Sequence, residues 1–157
     1  MMTIWTVRGK RAIRNRYRFE LPLPPKEASP NFHGHWRAKH KAVSAYRRAC
    51  SSVLRDMITP AFVPLEPPVK VHLDFYLCRS PDVFMRWGGL FEGDSFYYPR
   101  DGDNARASAK AAQDALIDAG FLKTDSNKTV QVGETRLHTT KKEHKGRTCL
   151  FVTLEEV

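Results

Sequence analysis

Between Val69 and Leu77 apolar and polar residues alternate without a break, VKVHLDFYL, so that Val69, Val71, Leu73, Phe75 and Leu77 share one side of an extended chain. The pattern predicts a strand buried on that side, with His72 and Asp74 on the other. Alternation also predicts strands over Tyr17–Leu23, Thr129–His138 and Thr148–Leu154, and more loosely over residues 2–8. The last pair is expected to form a closing hairpin with its turn at Gly146. Pro22, Pro24 and Pro25 close the Tyr17 strand and assign it to an edge or a short length. In two places the period changes to 3.6. Across residues 41–58, Val43, Tyr46, Cys50, Val53, Leu54 and Met57 recur at helical spacing. Ala105–Ala119 contains neither Gly nor Pro and only Ile117 is β-branched, which predicts a helix of about four turns. Asn104 is placed to cap it and Gly120 to stop it. The expected fold is α+β, a small α/β sandwich with a mixed sheet and two main helices largely on one face, in the order β-α-β-α-β-β.

With 157 residues the chain fits a single domain, 1–157, with a basic N-terminal extension (1–18) and an aromatic- and Gly-rich segment (79–100) that the family resemblance given below implies is an insertion. That insertion reads as an extra hairpin against the body or a dimer partner, or as a DNA-facing flap. The formal charge of +9 calls for a polyanionic partner without separating DNA, RNA and anionic membrane. Much of that charge lies early: the first fifty residues hold twelve Lys or Arg against Glu20 and Glu27. Arg14, Arg16 and Arg18 form a solvated basic segment or a phosphate-contacting arm. Residues 26–41 read as a basic loop in which Trp36 or Phe32 stacks on bases while Arg37, Lys39 and Lys41 meet the backbone. Arg47 and Arg48 meet phosphate or water. Lys141, Lys142 and Lys145, between the last two strands, are further candidate phosphate contacts.

Other chemistries find little support. Cys50, Cys78 and Cys149 follow no metal or disulfide spacing and suit small buried hydrophobes in a reducing compartment. His33, His35 and His40 lack the Cys or acid that would complete a zinc set. No phosphate-binding glycine loop, dinucleotide fingerprint or Ser-His-Asp arrangement occurs in a sensible context. Neither a run of 18 apolar residues nor a signal-peptide pattern is present, so an intracellular protein is expected.

The chemistry concentrates in DGDNARASAKAAQDALIDAGFLKTD, residues 101–125. On a strand end or loop, Asp101 and Asp103 point the same way, because period 2 repeats a face. If the following helix lies across the sheet, Asp125 approaches the pair. Three converging carboxylates in so basic a chain suit a hard divalent cation, Mg²⁺ with Mn²⁺ able to substitute. Aspartates also cap helices and occupy turns, so a purely structural role stays open, above all for Asp125 in TDSN. Asp114 and Asp118, four apart on the helix, are expected on a solvated face. Carboxylate-held Mg²⁺ supplies what phosphodiester hydrolysis needs, whereas a protein that only binds nucleic acid gains nothing from acids aimed at phosphate.

Together these stretches resemble the RusA family of Holliday junction resolvases. The resemblance covers roughly Phe19 to Glu155 with gaps, through FELPLPP, VKVHLDFYL, the DxDN at 101–104, KAAQDALIDAGFLKTD and the closing hairpin. It implies a RusA-like fold and a homodimeric, Mg²⁺-dependent endodeoxyribonuclease acting in the bacterial cytoplasm, chromosomally or phage-encoded. It also implies a substrate, a four-way DNA junction cut by paired symmetric nicks. Asp101, Asp103 and Asp125 are implied as the metal-binding, catalytic acids, and Lys110, in its KAAQDAL context, as the catalytic cation. This chain departs from compact relatives by three extra residues between DN and KAA, placing Lys110 seven residues beyond Asp103. Arg106, three beyond, is a rival for the cationic role and a candidate DNA contact. A metal nuclease acting on flaps or forks and a non-catalytic nucleic-acid-binding protein of the same fold are the competing readings.

Overall fold

A computed structural model describes residues 2–8, 13–60, 62–77, 90–92, 95–97, 102–124, 126, 128–139 and 148–157. Among the described residues seven strands form one mixed sheet: β1 (Met2–Arg8), β2 (Ile13–Leu21), β3 (Val69–Leu77), β4 (Leu90–Glu92), β5 (Ser95–Tyr97), β6 (Val130–Thr139) and β7 (Cys149–Glu156). Their order is β1-β2-β7-β3-β6-β5-β4, with β3 and β6 parallel and every other pair antiparallel. Helices α1 (Trp36–Asp56), α2 (Gly102–Ser108) and α3 (Lys110–Asp118) cover one face. The architecture is therefore the expected α+β sandwich with a mixed sheet. Among the described residues no helix is long and apolar enough to cross a membrane.

The alternation in β3 is realised: Val69, Val71, Leu73 and Phe75 are buried, while the residues between them are half-exposed. Their neighbours on the covered face are Tyr17, Phe19 and Leu21 of β2 and Leu150, Val152 and Leu154 of β7. Onto this surface α1 lays Tyr46, Cys50 and Leu54, and α3 lays Ala111, Ala112, Ala115 and Leu116. Alanine on α3 lets the helix backbone approach closely, while each fully buried leucine contributes about 1.5–3 kcal/mol.

Five expectations are corrected. The last two strands do not form a hairpin, because β3 lies between β6 and β7 and pairs with both. The strand with the cleanest apolar face takes the centre, where that face is buried from Val69 to Phe75 and half-buried at Leu77. Nor does β2 lie at an edge: it ends at Leu21, so the prolines fall outside the ladder and β1 supplies the edge. Helix α1 begins at Trp36, so Trp36, Arg37, Lys39 and Lys41 are helical and not in a loop. His35 caps it, its Nδ1 accepting from Arg37 N at 3.2 Å.

The other two corrections concern the Asp101–Asp125 stretch. Its helix starts at Gly102 and breaks at Ala109, where φ is −89° and ψ 5°. There the Ala109 N–H is shared by Ala105 O and Arg106 O, both at 3.1 Å. Ser108 Oγ donates to Ala105 O at 2.7 Å, a side-chain competitor for the helical carbonyl. Asp103 and Asn104 consequently lie inside α2, and neither the strand-end geometry for Asp103 nor the capping role for Asn104 is realised. Within residues 79–100, the described strands β4 and β5 pair antiparallel and join the sheet through the Tyr97–His138 pair.

Candidate functional site

Asp103 is exposed in the first turn of α2. The next residue, Asn104, opens onto a cleft of about 320 Å³ that also takes in Lys26, Asn31, Phe75, Leu77 and Ser108. This cleft lies where the C-terminal ends of β3 and β6 meet the chain between β2 and α1. Asp101 and Asp125 lie outside the described residues, as do Lys141, Lys142 and Lys145 and the side chain of Arg14. Only Asp103 of the expected acidic trio is described, and among the described residues no three His, Cys, Asp or Glu cluster as a metal site. An exposed carboxylate still fits Mg²⁺, which favours hard oxygen donors and keeps several waters.

Arg106 fixes the helix that carries Asp103. Its Nη2 donates to Val71 O at 2.7 Å and Gly133 O at 3.3 Å, and its Nε donates to Thr135 Oγ1 at 3.1 Å. The register of β3 against β6 shifts between Val71 and Leu73, a bulge that turns carbonyls out of the ladder. The guanidinium thus answers acceptors that the bulge leaves over. Burial pushes the Arg106 pKa down and the Asp103 charge pushes it up. A Cβ at Gly133 would lie 2.6 Å from Val71 O and 2.8 Å from His72 Nδ1, so this close approach requires glycine. Arg106 therefore points into the sheet, with its Nε and Nη2 engaged there.

Lys110 opens α3, exposed, with Nζ donating to Asp114 Oδ1 at 2.9 Å. Asp114 and Asp118 do not form the expected solvated face, because Arg47 reaches across from α1 to both. Its Nε and Nη2 donate to Asp118 at 2.6 and 2.7 Å, and Nη1 lies 3.8 Å from Asp114. The bidentate contact holds the Asp118 pKa below its ordinary range and raises that of Arg47. Arg47 thereby ties α1 to α3.

The remaining basic residues fall on two faces. On the helical side, Trp36 is 66% exposed at the start of α1, stacked on His35 with centroids 5.9 Å apart and approached by Arg37 at 5.5 Å. Lys41 is exposed, and Lys39 Nζ donates to Ser29 O at 3.4 Å. Arg16 and Arg18 belong to the opposite face of the sheet, where the Arg18 guanidinium sits 4.1 Å from the Phe151 ring centroid. No single flat surface gathers both sets.

That second face holds a polar cluster that the sequence reading missed. His138, 5% exposed, meets Asp74 Oδ1 through Nε2 at 2.8 Å and stacks on Tyr76 with centroids 4.6 Å apart. Nearby, His72 Nδ1 accepts from Glu134 N at 3.0 Å and its Nε2 faces Glu155 at 3.4 Å. Only strand register brings these groups together, although alternation had already placed His72 and Asp74 on this face.

No family model matches the chain, and no curated protein matches it. Among solved structures, the periplasmic domain of Helicobacter pylori MotB aligns with a TM-score of 0.34 at 10% identity, over 97% of this chain and 84% of that one. A likeness this slight carries no argument.

Proposed function

We propose that the protein is a Mg²⁺-dependent, structure-specific endodeoxyribonuclease of the RusA type that acts in the cytoplasm as a homodimer and resolves four-way DNA junctions. The observation that carries this reading is Asp103: an exposed acid beside a cleft, on a helix clamped to the sheet, in a chain of charge +9. An acid so placed repels phosphate unless a cation lies between them. Asp101, Asp103 and Asp125 would hold the ion. Held there, such an ion would supply Lewis-acid chemistry for phosphodiester hydrolysis.

The chain's own residues provide positioning and charge. Arg106 keeps α2 at a fixed height over the bulge, so the Asp103 carboxylate faces substrate without rearrangement. Lys110, whose ammonium is steadied by Asp114, offsets negative charge gathering on the phosphoryl oxygens. Trp36 and Arg37 offer an exposed stacking and phosphate-binding corner. Two symmetric nicks require two such sites related by a two-fold axis, hence a dimer.

Digestion of a synthetic four-way junction, a Y-fork and a linear duplex, each with Mg²⁺ and with EDTA, tests the proposal. Paired nicks in the junction alone, lost in EDTA, are expected. Cleavage of the fork in preference to the junction would move the substrate to flaps and forks. Binding without cleavage of any of the three would favour a non-catalytic role.

A further inference from the structure

Helix α1 carries six Lys or Arg and a single acid, Asp56. Its cations are not equivalent. Arg47, though exposed, is bonded across to Asp118 and lies near Asp114, and Lys39 donates to Ser29 O. Arg37, Lys41, Arg48 and Arg55 are all exposed. At about 100° per residue these four lie within roughly 40° of arc, and from Arg37 to Arg55 they run about 27 Å along the axis. They therefore form one straight basic stripe on the side of α1 opposite its core residues Tyr46, Cys50 and Leu54.

At its far end the stripe runs beside a depression of about 390 Å³ between α1 and α3, lined by Arg48, Ser51, Ser52 and Arg55, with Asp56 and the Arg47–Asp118 pair. Asp118 is already bonded to Arg47, and Ser51 Oγ donates to it at 3.5 Å. Two outward guanidinium groups and the Ser52 hydroxyl are left to meet an anion. At its near end stands Trp36.

We propose that this face of α1 is a track for a duplex DNA arm, laid across its phosphate backbones. It rests on the nucleic-acid part of the reading above and not on cleavage. In B-DNA each strand offers a phosphate about every 3.4 Å along the axis, so the stripe is about eight base pairs long, and it meets phosphates where the winding backbones cross it. A rigid helix matches a straight arm, since DNA stays straight over far longer distances. An anionic membrane is the other polyanion of suitable size. A membrane-surface helix, however, needs an exposed apolar face, and that of α1 is buried in the core.

The test measures binding of a labelled linear duplex in EDTA between about 50 and 300 mM NaCl. The variants are Arg48→Gln/Arg55→Gln, the charge-reversed Arg48→Glu/Arg55→Glu, and Lys70→Gln, which removes a cation from the opposite face of the sheet. Losing two phosphate contacts should flatten the slope of log K against log salt by about 1.8 and weaken binding at about 0.1 M salt roughly 60-fold. The reversed pair should lose more, with an unchanged thermal transition, and Lys70→Gln should keep the wild-type slope. The track is overturned by an unchanged slope in the double variant or by an equal loss in Lys70→Gln. It is also overturned if phosphatidylserine vesicles, and not duplex, show the arginine dependence. A wild type that fails to cut junctions but shows this slope pattern contradicts the nuclease reading alone. One that cuts while Arg48 and Arg55 prove irrelevant contradicts the track alone.

Discussion

Replacing Arg106 with alanine strips the carbonyls of Val71 and Gly133 and the Thr135 hydroxyl of their guanidinium donor. Leaving such acceptors half-buried and unanswered should cost about 2–3 kcal/mol. A urea titration should show a lower midpoint at unchanged m-value, with Arg106→Lys recovering only part because an ammonium lacks the planar fork. From sequence, Arg106 was a cation three residues from Asp103 and hence a candidate for phosphate. The bulge that claims it depends on how β3 and β6 register, which no local pattern records. Gly133, isolated inside a strand, was the available signal. His72 beside it makes a second prediction. Burial is the main cause lowering its pKa, against the carboxylates of Glu155 and Glu134 that raise it. Folding therefore favours the neutral ring, while the unfolded chain takes up a proton near pH 6.5. This contribution should be complete above that pH and fall away as pH drops toward the folded pKa. Urea midpoints at pH 7.5 and pH 5 should thus diverge more in the wild type than in His72→Asn.

Among the elements, the end of α3 was the most legible. Gly120 sits at φ +86°, Gly120 N donates to Ile117 O at 3.0 Å, and Phe121 N donates to Leu116 O at 2.9 Å. Phe121 then packs on Phe19 and Phe62 at centroid distances of 4.7 and 4.8 Å. A Cβ at Gly120 would meet nothing, so Gly120→Ala should cost only the left-handed strain, about 1 kcal/mol, read from the thermal transition. The start of the same stretch was misread. An Asp-x-Asp pair suits a strand end as well as a helical first turn, and the break at Ala109 stands beside a Ser108 Oγ–Ala105 O bond that no local pattern announces. The break also places Asp103 and Lys110 on separate helices, so their seven-residue spacing is not a run along one straight helix. With Arg106 engaged by the sheet, Lys110 becomes the better candidate for the catalytic cation. Lys110→Ala should lower the single-turnover rate roughly 100-fold or more with little change in junction affinity measured in Ca²⁺. A normal rate in that variant would return the role to another cation.

At the scale of the whole molecule, composition and alternation reached the fold class but not the topology. Core-facing residues in β2, β3 and β7 could be read one strand at a time, since period 2 marks a face, whereas in β6 the register shift leaves Val132 72% exposed and Leu137 buried. Which strand takes the centre could not be read, because pairing joins residues as distant as Arg16 and Glu155. The division of basic residues between the helical side and the opposite face of the sheet follows from that topology, and with it the assignment of Arg16 and Arg18 away from α1. The central claim is that Asp103 belongs to a metal-dependent cleavage site. Single-turnover cleavage of a four-way junction by wild type and by Asp103→Asn, each in Mg²⁺ and in EDTA, tests it most directly. Gel-shift affinities in Ca²⁺ should accompany the rates. The account predicts paired nicks for wild type in Mg²⁺ alone and none for Asp103→Asn, which should bind the junction at least as tightly for having lost a negative charge beside phosphate. Cleavage by Asp103→Asn at the wild-type rate, or wild-type cleavage that survives EDTA, would contradict it.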